Sequence, residues 1–177
     1  MCPIGSGIRK KVKTSERALE DLMRECAKAE RSVGDAKRLM TRWGVPPSKR
    51  GEVIEQLIDM KFIDHRRYAT AYVRDKINLS DWGPQRIRLE LGHKEVEEEI
   101  TAEVLEELFD KEMLRERLLK ALTKRKRTTR YKDNYELKNK LLRYGATLGY
   151  DYSTMSDVLE EVVNKREEER SWLDILF

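Results

Sequence analysis

Ser32-Val33-Gly34-Asp35-Ala36-Lys37-Arg38-Leu39-Met40-Thr41-Arg42-Trp43-Gly44-Val45 lines up without a gap on Gly83-Pro84-Gln85-Arg86-Ile87-Arg88-Leu89-Glu90-Leu91-Gly92-His93-Lys94-Glu95-Val96. Each stretch runs from a small helix-entry residue, through an apolar and basic stripe, to a valine that closes the helix. An acidic segment with apolar residues at helical spacing follows each: Val53, Ile54, Leu57 and Ile58 in the first copy, Ile100, Val104, Leu105 and Leu108 in the second. A looser third copy passes through Leu141 and Leu142 to Gly149-Tyr150, then Met155, Val158, Leu159 and Val162. A period of about 50 residues in a helical pattern predicts stacked repeats, which work by presenting an extended surface rather than a catalytic pocket.

Outward from these cassettes, the punctuation of the chain predicts the remaining helices. Ser15 is placed to cap a first helix carrying Ala18, Leu19, Leu22, Met23 and Cys26. Ser32 or Gly34 opens the next helix and Trp43-Gly44 ends it, while Pro46-Pro47-Ser48 starts a third. Asp64 is placed to cap a helix with Tyr68, Ala69, Tyr72, Val73 and Ile77 on one face, and Pro84 fits a first helical turn, where its missing N–H costs nothing. No segment alternates apolar and polar residues for long, so strands are not expected. The expectation is an all-α protein of tandem three-helix repeats, three copies and about nine helices, forming an elongated body with small local cores. Its parts are a flexible basic arm (1–13), repeat 1 (14–63), repeat 2 (64–110), repeat 3 with a basic insert (111–163) and a charged, then apolar, tail (164–177).

The 177 residues are 40% charged and carry a net charge of +4. That small figure hides an alternation: 14 basic against 9 acidic residues in 1–63, 7 against 12 in 64–110, and 16 against 12 in 111–177. A basic, acidic, basic order suits a polyanion together with a protein partner. Cys2 and Cys26 form no disulfide or zinc pattern, no apolar run approaches the roughly 20 residues of a membrane span, and the basic start lacks an apolar signal core. A cytoplasmic protein is expected.

No catalytic residue, metal site or cofactor is implied. His65 and His93 lie in different repeats without a ligand partner at helical spacing, and no phosphate-binding loop or nucleophile elbow is present. Glu97, Glu98 and Glu99 point in different directions on a helix and read as a solvated acidic face. The strongest signal is Arg115 to Lys132, with nine Lys or Arg and one acid. Leu114, Leu118, Leu119 and Leu122 would dock this segment on the body and leave its outer face basic. Such a density of charge calls for a polyanion or an acidic protein face, and counterion release on phosphate contact would give salt-dependent binding with little base specificity. Trp43 and Trp82 read as helix-end packing, as do Tyr68 and Tyr72. The apolar end, Ser171 to Phe177, reads as a segment that folds back or binds a partner; through Leu173-Asp174 and Leu176-Phe177 it weakly resembles peptides that bind bacterial sliding clamps, without their usual glutamine.

Taken together, Phe62-Ile63-Asp64, Arg67-Tyr68-Ala69, Tyr72-Val73-Arg74-Asp75-Lys76, Trp82-Gly83 and Arg86-Ile87 with Leu91 and Lys94 resemble the RecX family of bacterial regulatory proteins, over roughly residues 15 to 163. The resemblance implies a curved array of three-helix repeats. It also implies regulation, mainly inhibition, of the RecA recombinase and its filament on single-stranded DNA, within DNA repair, homologous recombination and the SOS response, with no enzymatic activity. The sequence departs from the family at Gly92-His93-Lys94-Glu95-Val96, where a glycine commonly stands beside the valine, and in the glycine-rich Tyr144 to Tyr150. Candidates for contact with DNA or RecA are Lys37, Arg38, Arg42, Arg67, Arg74, Arg86, Arg88, Lys94, Lys120, Lys124, Arg125, Lys126, Arg127, Arg130, Lys132, Lys140 and Arg143. The expected partners are RecA and single- and double-stranded DNA without strong sequence preference, and no membrane. The rival expectation is a stand-alone nucleic-acid-binding protein built of helix-turn-helix-like modules, which would read base edges.

Overall fold

The computed structural model describes residues 12–175, with side chains from Val12 to Asn164. Among these residues are nine α-helices and no strand: α1 Ser15–Lys28, α2 Val33–Arg42, α3 Pro47–Asp59, α4 His65–Leu79, α5 Pro84–His93, α6 Glu98–Leu108, α7 Lys111–Thr128, α8 Asn134–Leu148 and α9 Tyr152–Ile175. The apolar end and its clamp-peptide reading lie outside the described side chains.

Local chemistry sets most of the boundaries. Ser32 accepts from the Asp35 N–H while the Asp35 carboxylate reaches back to the Ser32 N–H, a reciprocal cap on α2. Asp64, Asp110 and Asp133 each accept from the N–H three residues on, opening α4, α7 and α8. Pro47 and Pro84 stand at first helical positions. One expected cap moves by a residue: Thr14, not Ser15, caps α1, its hydroxyl oxygen accepting from Arg17 N at 3.3 Å. Thr14 has the extended backbone a cap needs, whereas Ser15 is already helical.

The helices form three bundles. Every extensive helix–helix contact falls among α1–α3, α4–α6 or α7–α9, and each bundle has its own core. The first centres on Leu22, Met40, Leu57 and Ile63, the second on Val73, Ile87, Leu91 and Val104, and the third on Leu118, Leu122, Leu137 and Leu141. Complete burial of one such side chain stabilises by about 1.5–3 kcal/mol.

The middle helices end alike. Val45, Val96 and Tyr150 each donate a backbone N–H five residues back, to Met40, Leu91 and Gly145. The residue before each has positive φ: Gly44 at 76°, Glu95 at 57° and Gly149 at 88°. The family's usual glycine beside the valine is thus replaced by a glutamate that still adopts the left-handed conformation.

The same helix ends join the units. Gly34 N–H, in the first turn of α2, donates to Lys94 O at the end of α5 (3.0 Å); Gly83 and Gln85, at the start of α5, donate to Leu148 O (2.7 Å) and Gly149 O (3.1 Å) at the end of α8. Each joint satisfies otherwise orphaned N–H groups of one helix with otherwise orphaned carbonyls of the next. At the start of the array Lys13 N–H takes the same role, donating to Trp43 O at 3.1 Å, with the Lys13 ammonium 3.6 Å from the Trp43 ring centroid and 2.8 Å from Asp21. The last two residues of the segment read as a flexible arm therefore cover the exposed end of α2.

Candidate nucleic-acid interface

The joints consume several of the cations expected on the outer surface. Between units 1 and 2, Lys94 and Arg38 both donate to Asp35 Oδ1, Lys94 at 3.0 Å, and the Tyr68 hydroxyl donates to Asp35 Oδ2 at 3.3 Å. Burial pushes the Asp35 carboxyl up, but hydrogen bonds and charge from Lys94 and Arg38 outweigh it and bring the group down to about 2. Burial, reinforced by the Asp35 charge, pushes the Tyr68 phenol up. Lys37 pairs with Glu95 across the same joint. Arg67 spans units 1 and 2, holding Glu30 at 2.6 Å and the carbonyls of Lys61 and Phe62.

Arg86 lies at the second joint, donating to Thr147 O at 3.1 Å, its guanidinium carbon 4.0 Å from the Trp82 ring centroid. Lys76 stands 4.4 Å from the same centroid, so two cations of unit 2 already stack on Trp82. Arg88 faces Glu98 at 3.3 Å and Lys140 faces Glu136 at 2.8 Å.

The basic segment divides into anchored and free residues. In α7, Leu118, Ala121 and Leu122 are buried in the third core. Lys126 donates to the carbonyls of Val162 and Val163 in α9, and the Arg125 guanidinium lies 5.0 Å from the Tyr144 ring centroid. Lys120, Lys124 and Arg127, at i, i+4 and i+7, share a different face and are exposed. The clustering of Arg125, Lys126 and Arg127 in the last turn of α7 suits the negative end of its dipole. Thr128 and Thr129 hydroxyls then both donate to Arg125 O, and the chain leaves the helix toward Arg130 and Lys132.

Among the described residues, Arg42, Arg74, Lys120, Lys124, Arg127, Arg130, Lys132 and Arg143 are the exposed candidates whose side chains carry no ion pair, hydrogen bond or ring contact. Six of these eight lie between Lys120 and Arg143, in unit 3. Exposed ion pairs elsewhere hold their cations only weakly, but the free ones need give up no partner to meet a phosphate. In unit 2, Arg66 holds Glu103 at 2.6 Å and Glu107 at 2.9 Å, while Glu97, Glu99 and Glu106 remain exposed without a cation partner. Among the described residues no cluster of His, Cys, Asp or Glu could hold a metal ion, and no helix is long and apolar enough to cross a membrane.

Sequence reasoning missed Glu95 and Asp35 as the groups that absorb Lys37 and Lys94, because these partners stand 58 and 59 residues apart, and it missed the pairing of Arg38 with Asp35 three residues before it. It also missed Arg117, which donates to Ser80 O at 2.6 Å across the second joint. The only sequence sign of Arg117 was its place in the basic run.

A family model described as the second three-helix domain of RecX matches residues 64–105. The chain is 30% identical over 155 residues to the regulatory protein RecX of Clostridium botulinum (strain Eklund 17B / Type B), covering 86% of this chain and 70% of that one. It is 31% identical over 108 residues to regulatory protein RecX of Finegoldia magna, covering 60% and 53%. Two crystal structures share the fold: RecX from Lactobacillus salivarius, with a TM-score of 0.67 at 22% identity over 84% of this chain and 96% of that one, and a regulatory protein RecX, with a TM-score of 0.76 at 23% identity over 82% and 73%. With its repeated three-helix units and this extent of identity, the chain belongs to the RecX family.

Proposed function

We propose that this protein is a non-enzymatic, cytoplasmic regulator of the RecA recombinase that lies along the RecA filament on single-stranded DNA and mainly inhibits it. The observation that carries the reading is the concentration of unpaired, exposed cations in unit 3 beside a unit 2 whose α6 keeps unpaired carboxylates. Lys120, Lys124, Arg127, Arg130, Lys132 and Arg143 meet DNA phosphates or acidic patches of RecA; Glu97, Glu99 and Glu106 meet basic patches of RecA. An elongated array of units spans neighbouring protomers and impedes their addition or rearrangement, so occupancy alone suffices and no bond is made or broken. Association of this kind is fast and weakens with salt.

The test is RecA-dependent ATP hydrolysis on single-stranded DNA with increasing amounts of the full chain, beside a control without RecA. Inhibition at protein levels well below RecA, with no hydrolysis in the control, is the expected result. Unchanged hydrolysis at stoichiometric levels would overturn the proposal and leave direct nucleic-acid binding as the better reading.

A further inference from the structure

A cleft of about 530 Å³ opens between units 2 and 3, within the range of small-ligand sites. One wall is the end of α4 and the turn after it, with Leu79, Asn78, Ser80 and Asp81; the other is α7, with Lys120 and Lys124. Arg117 ties the walls together through Ser80 O at 2.6 Å.

The walls differ chemically. Lys120 and Lys124 stand one helical turn apart, about 6 Å along the axis, exposed and without partners. Opposite them Leu79 is 83% exposed, a large apolar side chain left at the rim of the cleft. Asp81 lines the wall of Leu79, while Glu116 lies on α7 one turn before Lys120, and neither has an ion pair. Two carboxylates and the carbonyl end of α4 oppose a bare polyanion. They suit a ligand that is anionic along one edge, flat and apolar in its body, and rich in N–H donors on the far edge. A nucleotide with an amino-bearing base has that distribution, its phosphate on the lysines, its base against Leu79 and its amino group toward a carboxylate.

We propose that this cleft is a binding site for a nucleotide of a single nucleic-acid strand, selecting cytosine over thymine through Asp81. The proposal rests on the reading of unit 3 as the nucleic-acid-facing part of the protein. A duplex keeps its bases stacked and cannot offer one to Leu79, so the cleft takes single strands. Because its walls belong to different units, a bound strand also fixes the angle between them.

The experiment is fluorescence anisotropy of labelled oligo-dC and oligo-dT with the full chain across a salt series. Lys120→Ala is expected to lower the slope of log affinity against log salt by about 0.7, one single-strand phosphate contact. Leu79→Asp is expected to weaken oligo-dC about tenfold or more; its exposure leaves the fold intact, which an unchanged thermal melt checks. Wild type is expected to prefer oligo-dC several-fold, and Asp81→Asn to remove that preference. Free dCMP is expected to displace the strand, and inorganic phosphate at matched ionic strength to fail. Displacement by phosphate as effective as by dCMP would overturn the nucleotide assignment. Unchanged affinity in Lys120→Ala and Leu79→Asp, with binding lost in an Arg127→Glu, Arg130→Glu double variant, would overturn the cleft while the outer basic face stands. Absence of strand binding by wild type at low salt would overturn both.

Discussion

Gly83→Ala perturbs the joint between units 2 and 3 and little else. Gly83 has φ −87° and ψ 171°, a conformation open to alanine, so the effect is steric. A Cβ built there stands 2.6 Å from Gly149 O and 2.8 Å from Gly149 C, backbone atoms that cannot swing aside, where ordinary contact begins at 3.4 Å. The units must part by about 0.8 Å, the shortfall against that contact. Such a shift carries the 2.7 Å bond from Gly83 N to Leu148 O beyond the usual N–H···O range and weakens the neighbouring bond from Gln85 N. Two hydrogen bonds at about 1 kcal/mol each, with residual strain of about 1 kcal/mol, put the loss near 3 kcal/mol. For a chain of this size that corresponds to a fall in Tm of about 6–12 °C, read by circular dichroism at 222 nm. Gly51→Ala is the control, since a Cβ there meets nothing within 4 Å inside α3, and it is expected to gain about 0.5–1 kcal/mol. A Gly83→Ala melt within about 1 °C of wild type, with the control behaving as stated, would refute the close packing of the joint.

Other outcomes follow from the same contacts. Glu95→Gly relieves a left-handed glutamate at φ 57° and loses only an exposed pair with Lys37; urea unfolding is expected to show a gain of about 0.5–1 kcal/mol. Asp35 ionises at about 2 when folded against 3.8 otherwise, so its contribution, about 2 kcal/mol, is present above pH 4 and lost as pH falls toward 2. Urea midpoints measured across that window are expected to fall in wild type and to change less in Asp35→Asn. Arg127→Glu with Arg130→Glu is expected to weaken single-strand binding and lower the salt slope by about 1.4, two phosphate contacts, without changing the melt.

The helical framework was legible because the groups that start and stop helices act locally. Asp64, Pro47 and Pro84 do their work within one turn, and the cassette alignment already paired Gly44 with Glu95; the caps Asp110 and Asp133 act as locally but were not read. Thr14 was missed since either of two adjacent hydroxyls could serve as cap. The joints were not legible: Gln85 engages through its backbone N–H, and Gly34 and Gly83, where a Cβ would meet the facing backbone, read in the sequence only as helix-entry residues. For the candidate interface, density of charge located the basic segment but not which cations remain free. That depends on partners far along the chain, such as Glu95 for Lys37 and the Val162 carbonyl for Lys126.

A connection made by main-chain atoms places its demands on few positions, the close-packed Gly34 and Gly83 among them. Side chains around it can vary so long as the turn at the helix end is kept: two glycines and a glutamate hold the left-handed positions that end α2, α5 and α8. An array held this way can gain a unit by duplication without first evolving a matching surface, because the start of α5 meets the end of α8 as the start of α2 meets the end of α5. Variation in length is then an expected outcome of the architecture.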